Sequence, residues 1–318
     1  MLFSDSKFAI LSVISVRTNL GATPFRLADG TQVFDVLPLG LPSHWQEWIG
    51  SVQAGHLKSC NLALMCQTDE GDLEIADEAL NNLGYTLCGL YTMLRLRGTI
   101  EYQDAYLIEG YFRNGEAIIQ RFSNLDRLHV TKGYQPWTIR TEDLEEAAKL
   151  HRARASTKLI PANTRFRRGL NELIIALQKY HGGDRLHGFV RSIEALILPD
   201  KGQTRKQFVN RCLLLTSLKN HAAARKVLEE TYDMRSDVEH MHEWDRSLSQ
   251  YSVAEREDVA LHRTRQMEAL SCAGYRRILS DANMQCHFSD DAAISSFWAQ
   301  RPADIRSLCG TICDVTSI

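Results

Sequence analysis

Over the first 140 residues the hydrophobic positions change period repeatedly, as they do where strands and helices alternate. Residues 8–16 form a nearly unbroken apolar run that stops at Asn19-Leu20-Gly21, which predicts a strand. Residues 43–50 predict a short helix, with Ser43 as N-cap, Gln46 and Glu47 in its first turn and Gly50 as its stop. Residues 61–66 predict a second strand. From 74 to 96, Leu80, Leu83, Leu87, Leu90 and Leu94 recur every three or four positions, the mark of a helix lying on a sheet, weakened locally by Gly84 and Gly89. Residues 105–112 and 116–122 are strand-like and flank Arg113-Asn114-Gly115, whose Asn-Gly pair favours the tight turn of an antiparallel hairpin. Residues 128–131 add a possible third strand.

Beyond Thr141 the apolar period is helical almost throughout. Thr141 as hydroxyl N-cap, followed by Glu142 and Asp143, starts one helix. Further helices are expected over 164–181, 184–198, 204–218, 222–242 and 253–280, with turns at His181-Gly182-Gly183-Asp184 and Pro199-Asp200-Lys201-Gly202. The expected fold class is α+β: a mixed α/β domain with antiparallel strands over 1–140, then an all-α helical bundle over 141–318.

Composition removes several function classes. With 37 basic and 39 acidic residues the net charge is −2, so no global positive field draws this chain to nucleic acid, and any basic surface is local. No run approaches the roughly 20 apolar residues of a membrane helix. Asp5 comes early and no basic segment precedes an apolar core at the start, which together read as a cytoplasmic protein rather than a secreted one. The eight cysteines are scattered and read as reduced thiols; Cys309 and Cys313, one helical turn apart, would form half a metal site, but no second pair stands at ligand spacing. No nucleotide-binding glycine loop, nucleophile elbow or metal-ligand set is present, so no cofactor and no metal are expected.

The candidate chemistry lies in Tyr232-Asp233-Met234-Arg235-Ser236-Asp237-Val238-Glu239-His240. Arginine holds phosphate charge and histidine moves a proton near neutral pH, which together suffice to cleave a phosphodiester. Spacing alone carries little weight: Arg256 and His262 form a similar pair elsewhere. The pair gains weight from what precedes it. Residues 188–211 contain Ile193-Glu194-Ala195-Leu196, then Pro199-Asp200, then Thr204-Arg205-Lys206-Gln207-Phe208-Val209-Asn210-Arg211, and the order and content of these landmarks resemble the Apea-like branch of the HEPN superfamily over roughly 165–280.

That resemblance implies a compact helical domain that pairs with a second copy, setting two Arg/His motifs in a shared cleft. It implies metal-independent RNA cleavage, in which a ribose 2′-hydroxyl attacks the adjacent phosphate and leaves a 2′,3′-cyclic end. Carried over, His240 acts as general base or acid, Arg235 stabilises the phosphorane and Ser236 follows the arginine as in that branch. Residues five apart on a helix differ by about 140° in direction, so Arg235 and His240 converge only if the helix end frays, the arginine wraps round or a second subunit completes the site. Glu194 either orients Arg235 or is a surface carboxylate. His242 is an alternative to His240. Met241 stands where relatives commonly have glycine, placing a larger side chain at the entrance.

Two basic stretches bear on substrate. Residues 148–171 hold seven Lys/Arg and no acid, and residues 200–229 hold seven more; Arg165, Arg167, Arg168, Arg205, Lys206 and Arg211 are the RNA-binding candidates. The expected function is a HEPN-type endoribonuclease, as in toxin or anti-phage defence effectors, homodimeric, with RNA as substrate and an antitoxin or regulator as a possible partner. The alternative is a non-catalytic HEPN module that binds RNA or a protein. His181 and His187, beside the Gly-Gly turn, read as structural.

Overall fold

The computed structural model describes residues 4–70, 72–101, 104–131, 137–155, 165–217, 219–242 and 244–318. The fold is α+β, an N-terminal antiparallel sheet followed by helices, and it divides into two compact units. One comprises residues up to Arg127 with 135–151; the other comprises 128–134 with 152–318.

In the first unit, β1 (Ser6–Ile14), β2 (Thr18–Asn19), β3 (Phe25–Arg26), β4 (Gln32–Phe34), α1 (Ser43–Lys58), β5 (Cys60–Thr68), α2 (Glu78–Arg97), β6 (Ala105–Arg113), β7 (Glu116–Asn124) and β8 (Ile139–Arg140) lead into α3 (Thr141–Ala155). The main sheet has the order β3-β4-β5-β1-β6-β7, all neighbours antiparallel, while β2 and β8 form a small parallel pair. Every residue of central β1 is buried because both faces of the sheet are covered, which is why the sequence there reads as a continuous apolar run instead of an alternation. Phe8, Ile10 and Ile14 pack with Ile49, Ala54 and Leu57 of α1. The opposite face meets α2, where a Cβ on Gly84 would come 2.7 Å from Glu109 Oε1. Gly84 therefore makes room for a carboxylate. Lys7, fully buried on that face, pairs with Asp77, the N-cap of α2, at 2.5 Å.

Several local expectations are corrected. The N-cap of α1 is Pro42, not Ser43, and Gly50 breaks the helix at φ 82° without ending it, since a second helical segment continues to Lys58. The hairpin turn stands, with positive φ at both Asn114 and Gly115. Thr141 donates its hydroxyl to Leu20 O, and it is Asp143 that reaches back to the Arg140 amide at 2.9 Å. The division near residue 140 moves: α3 up to His151 packs in the sheet unit, through Arg97 to Asp143 and Glu146 at 2.9 and 2.6 Å and through the His151 ring against Gly89. Residues 128–131 are not a strand. They belong to the helical unit, tied by His129 N to Leu177 O at 2.7 Å and Thr131 Oγ1 to Glu268 Oε2 at 2.6 Å.

The helical unit contains α4 (Arg165–Gln178), α5 (Gly182–Ile197), α6 (Thr204–Leu215), α7 (His221–Glu239) and α8 (Val253–Leu279), then three short helices that the sequence reading did not foresee, α9 (Ala282–His287), α10 (Asp291–Trp298) and α11 (Pro302–Cys309). Thr164, at the expected start of α4, lies outside the described residues. The helix α5 is central and packs against α4, α6, α7 and α8. A Cβ on Gly188 would lie 2.7 Å from Ala176 Cβ, and Tyr275 Oη donates to Ser192 O at 2.8 Å, so α4, α5 and α8 meet closely. Cys309 ends α11 and Cys313 lies beyond it; burial raises their thiols to about 11 and 12, which keeps both protonated. Among the described residues no group of three or more His, Cys, Asp or Glu stands at metal-binding geometry, and no helix is long and apolar enough to cross a membrane.

Candidate functional site

The helix α7 turns Ala224, Val227, Leu228, Thr231 and Met234 into the bundle at a spacing of three and four, which leaves Tyr232 and Arg235 on its flank toward α5. Arg235 is half-buried there. Its Nη2 lies 3.3 Å from Glu194 Oε2 on α5, its Nη1 contacts Glu239 Oε2 one turn on, and its guanidinium sits 5.9 Å from the Tyr232 ring centroid. Glu194 thus orients Arg235 rather than standing free on the surface. The pair is incompletely satisfied: Arg235 Nε and Glu194 Oε1 are both buried with no hydrogen-bond partner among the described residues. Burial raises the Glu194 carboxyl above its ordinary value, with the Arg235 charge pulling the other way, and burial followed by Glu194 raises the Tyr232 hydroxyl.

His240 is placed differently. The helix ends at Glu239, and His240 is its C-cap, exposed, with its ring 6.1 Å from that of His242. The Met241 amide donates to Val238 O at 3.0 Å and the His242 amide to Asp237 O at 2.8 Å, with Met241 at φ 55°. This closure places a left-handed residue just past the cap, the position at which glycine is favoured, so the expected glycine has a backbone reason. The Met241 side chain is 95% exposed, so it narrows nothing within the chain. No hydrogen bond joins His240 to Arg235, and the Ser236 hydroxyl bonds to neither. Within one chain the structure brings Arg235, Glu194, Glu239 and Tyr232 together and leaves His240 and His242 at the exposed helix end.

His187 is the residue that sequence reasoning set aside. It lies seven before Glu194 on the same face of α5, and Gly183, one turn earlier, meets Val238 and Trp244 at the end of α7. Its Nδ1 is buried with no partner among the described residues, and burial, then the charges of Arg235 and Arg191, hold the imidazole below its ordinary pKa against the opposite pull of Glu239 and Glu172. The signal was the spacing of seven from Glu194, which puts both side chains toward α7.

The basic candidates divide sharply. Arg205 is committed to Asp233 through two bonds of 2.7 and 2.8 Å, and Arg211 donates to the Leu198 carbonyl at 2.6 Å at the end of α5, its guanidinium 5.7 Å from the Trp298 ring. Lys206 and Arg167 are exposed on α6 and α4. Arg165 and Arg168 instead line a cleft of about 390 Å³ between α4 and α5, together with Arg191, Asn171, Glu172 and Glu194. Glu194 therefore belongs both to this cleft and to the Arg235 group. No protein-family model, curated protein or solved structure matches this chain.

Proposed function

We propose that this protein is a metal-independent endoribonuclease of the HEPN type, acting as a homodimer through its helical unit. The observation that supports the reading most is Arg235, held between Glu194 and Glu239 at the end of the helix that also presents His240. Glu239, 44% exposed against 15% for Glu194, is the carboxylate that an incoming phosphate displaces. In the proposed reaction the 2′-hydroxyl gives its proton to His240 and its oxygen bonds phosphorus. The bond from phosphorus to the 5′-oxygen then breaks, that oxygen takes a proton, and a 2′,3′-cyclic phosphate remains. Arg235 offsets the charge that builds on the phosphorane oxygens. One histidine cannot stand at both ends of this transfer; an exposed helix end lets a second copy bring its own histidine to the leaving oxygen.

Purified protein is expected to cut RNA in excess chelator, leaving cyclic phosphate ends, and Arg235→Ala or His240→Ala each to lower the rate by roughly 10²-fold or more. Wild-type protein that cuts no RNA, alone or in the presence of its cellular trigger, would remove the enzyme reading. One observation favours a second reading, a non-catalytic module that binds RNA or a protein partner: two carboxylates already neutralise Arg235, and nothing in the chain joins it to His240. In either case the sheet unit is assigned the sensing of a trigger or the positioning of a target, in a toxin or defence setting with a regulator as partner.

A further inference from the structure

We propose that the α4–α5 cleft is a subsite for one nucleotide unit of an RNA chain, with its phosphate on Arg168 and Arg191 and its ribose 2′-hydroxyl on Glu194. This rests on the ribonuclease or RNA-binding reading above for the identity of the polymer. The floor of the cleft is closely packed: a Cβ on Gly169 would collide with the Tyr275 hydroxyl and the Ala195 methyl. Its volume of about 390 Å³ lies in the range of small-molecule sites, roughly 300–1,000 Å³.

The walls hold unspent binding capacity of two kinds. Arg168 is exposed and makes no ion pair among the described residues, Arg191 meets Glu172 at 3.4 Å and Arg165 holds Asp291 through longer bonds of 3.3–3.4 Å, whereas Arg205 of the same unit holds Asp233 at 2.7 Å. Planar guanidinium groups with weak partners are ready to take a phosphate. The second kind is an acceptor. Glu194 Oε1 is buried with no donor among the described residues, while Oε2 of the same carboxylate holds Arg235. An inorganic anion satisfies the arginines and leaves Oε1 empty. A ligand that fills both carries a phosphate and a hydroxyl donor close together, and a ribose hydroxyl on a carboxylate is the contact that separates RNA from DNA. Because Glu194 bridges the cleft and Arg235, a nucleotide seated here directs the next phosphate of the chain to Arg235.

Binding tests this without any need for turnover. The intact chain carrying His240→Ala is titrated by fluorescence anisotropy with a single-stranded oligoribonucleotide and with the deoxyribonucleotide of the same sequence. RNA is expected to bind more tightly. Adding Arg168→Ala and Arg191→Ala together lowers RNA affinity by about tenfold or more and flattens its salt dependence, while Arg167→Ala, outside the cleft on the same helix, changes it less. Glu194→Ala brings RNA and DNA affinities together, whereas Arg235→Ala, which removes the same ion pair from its other side, leaves the preference in place. Equal binding of RNA and DNA by the parent protein overturns the proposal, as does unchanged RNA affinity in the Arg168/Arg191 variant. Adenosine 5′-monophosphate competing as strongly as the oligonucleotide overturns the assignment to a chain. If the wild-type protein cleaves RNA while the cleft variants bind it normally, the subsite fails and the ribonuclease reading stands; cleft-dependent RNA binding without cleavage gives the reverse.

Discussion

Two arginines in the helical unit, each paired with a glutamate, are held in different ways. Arg185 near the start of α5 is 3% exposed and Glu268 on α8 is 2% exposed; they meet at 2.8 Å, and Arg185 also donates to Thr131 Oγ1 and to the carbonyls of His129, Leu177 and Lys179. Glu268 in turn accepts from Thr131. Nine residues later on the same helix, Glu194 meets Arg235 at the longer distance of 3.3 Å, and among the described residues Glu194 Oε1 is buried without a mate. A deeply buried network with many partners fixes structure, here the docking of residues 128–131 onto the bundle. The Glu194–Arg235 pair has fewer partners and more exposure, and the unmated carboxylate oxygen carries a desolvation cost.

The largest expected difference is in stability. Glu268→Ala strands a buried guanidinium among carbonyls and is expected to lower the unfolding free energy by about 3–5 kcal/mol. Glu194→Ala removes a longer, less deeply buried pair and a carboxyl already raised by burial, so about 1–2 kcal/mol is expected. Urea denaturation of the intact chain measures both. Equal losses would break the distinction between a structural and a poised network.

A smaller effect is expected with pH, and it comes from His187. An unfolded histidine titrates near 6.5, and in the folded protein burial first, then Arg235 and Arg191, hold this one lower. Below pH about 6.5 the unfolded chain therefore binds a proton that the folded chain refuses, so this contribution to stability is intact above 6.5 and falls as pH drops toward the folded value. His262 has the same sign from burial and from Arg263 and Arg265, so the readout is the difference between variants. His187→Asn is expected to flatten the slope of stability against pH in that window. Arg235→Ala flattens it only in part, because burial, the larger cause, remains. A slope unchanged in both would remove His187 from the Arg235 group.

The landmarks legible in the sequence turn out to be each other's partners. Glu194 of the Ile-Glu-Ala-Leu helix meets Arg235, Asp200 of the Pro-Asp loop exchanges two 2.7 Å bonds with Gln207, and Arg205 of the following helix clamps Asp233. Order along the chain was visible because these residues are near the motif in sequence. What each basic side chain does was not: Arg168 and Arg211 count alike in a charge tally, yet one opens on a cleft and the other caps the carbonyl end of α5, a role set by how neighbouring helices pack and not by position in a charge run. The same holds for residues 128–131, whose apolar run suggests a strand but whose hydrogen bonds come from Leu177 and from side chains on α5 and α8. The antiparallel sheet was legible because period-two and continuous apolar runs are local. The short strands β3 and β4 and the three final helices were missed because two or three residues of strand, or six to eight of helix, carry too little period to register.

The smallest expected effect lies at the end of α7, at the residue after His240. Met241 occupies the left-handed region at φ 55°, which costs a residue with a Cβ about 1–2 kcal/mol. Glycine removes that cost but loses more entropy on folding, about 0.5–1 kcal/mol, so Met241→Gly is expected to raise the unfolding free energy by about 0.5–1 kcal/mol in urea denaturation. The hydrogen bonds of the Met241 and His242 amides to Val238 and Asp237 use only backbone, so the substitution leaves His240 at its cap position. RNA cleavage under the proposed reaction should then be unchanged, because a side chain in open solvent holds neither Arg235 nor His240 in place. A gain in stability with a loss of cleavage would show instead that the exposed thioether touches the substrate or a second copy of the chain, and would place the contact surface at this helix end.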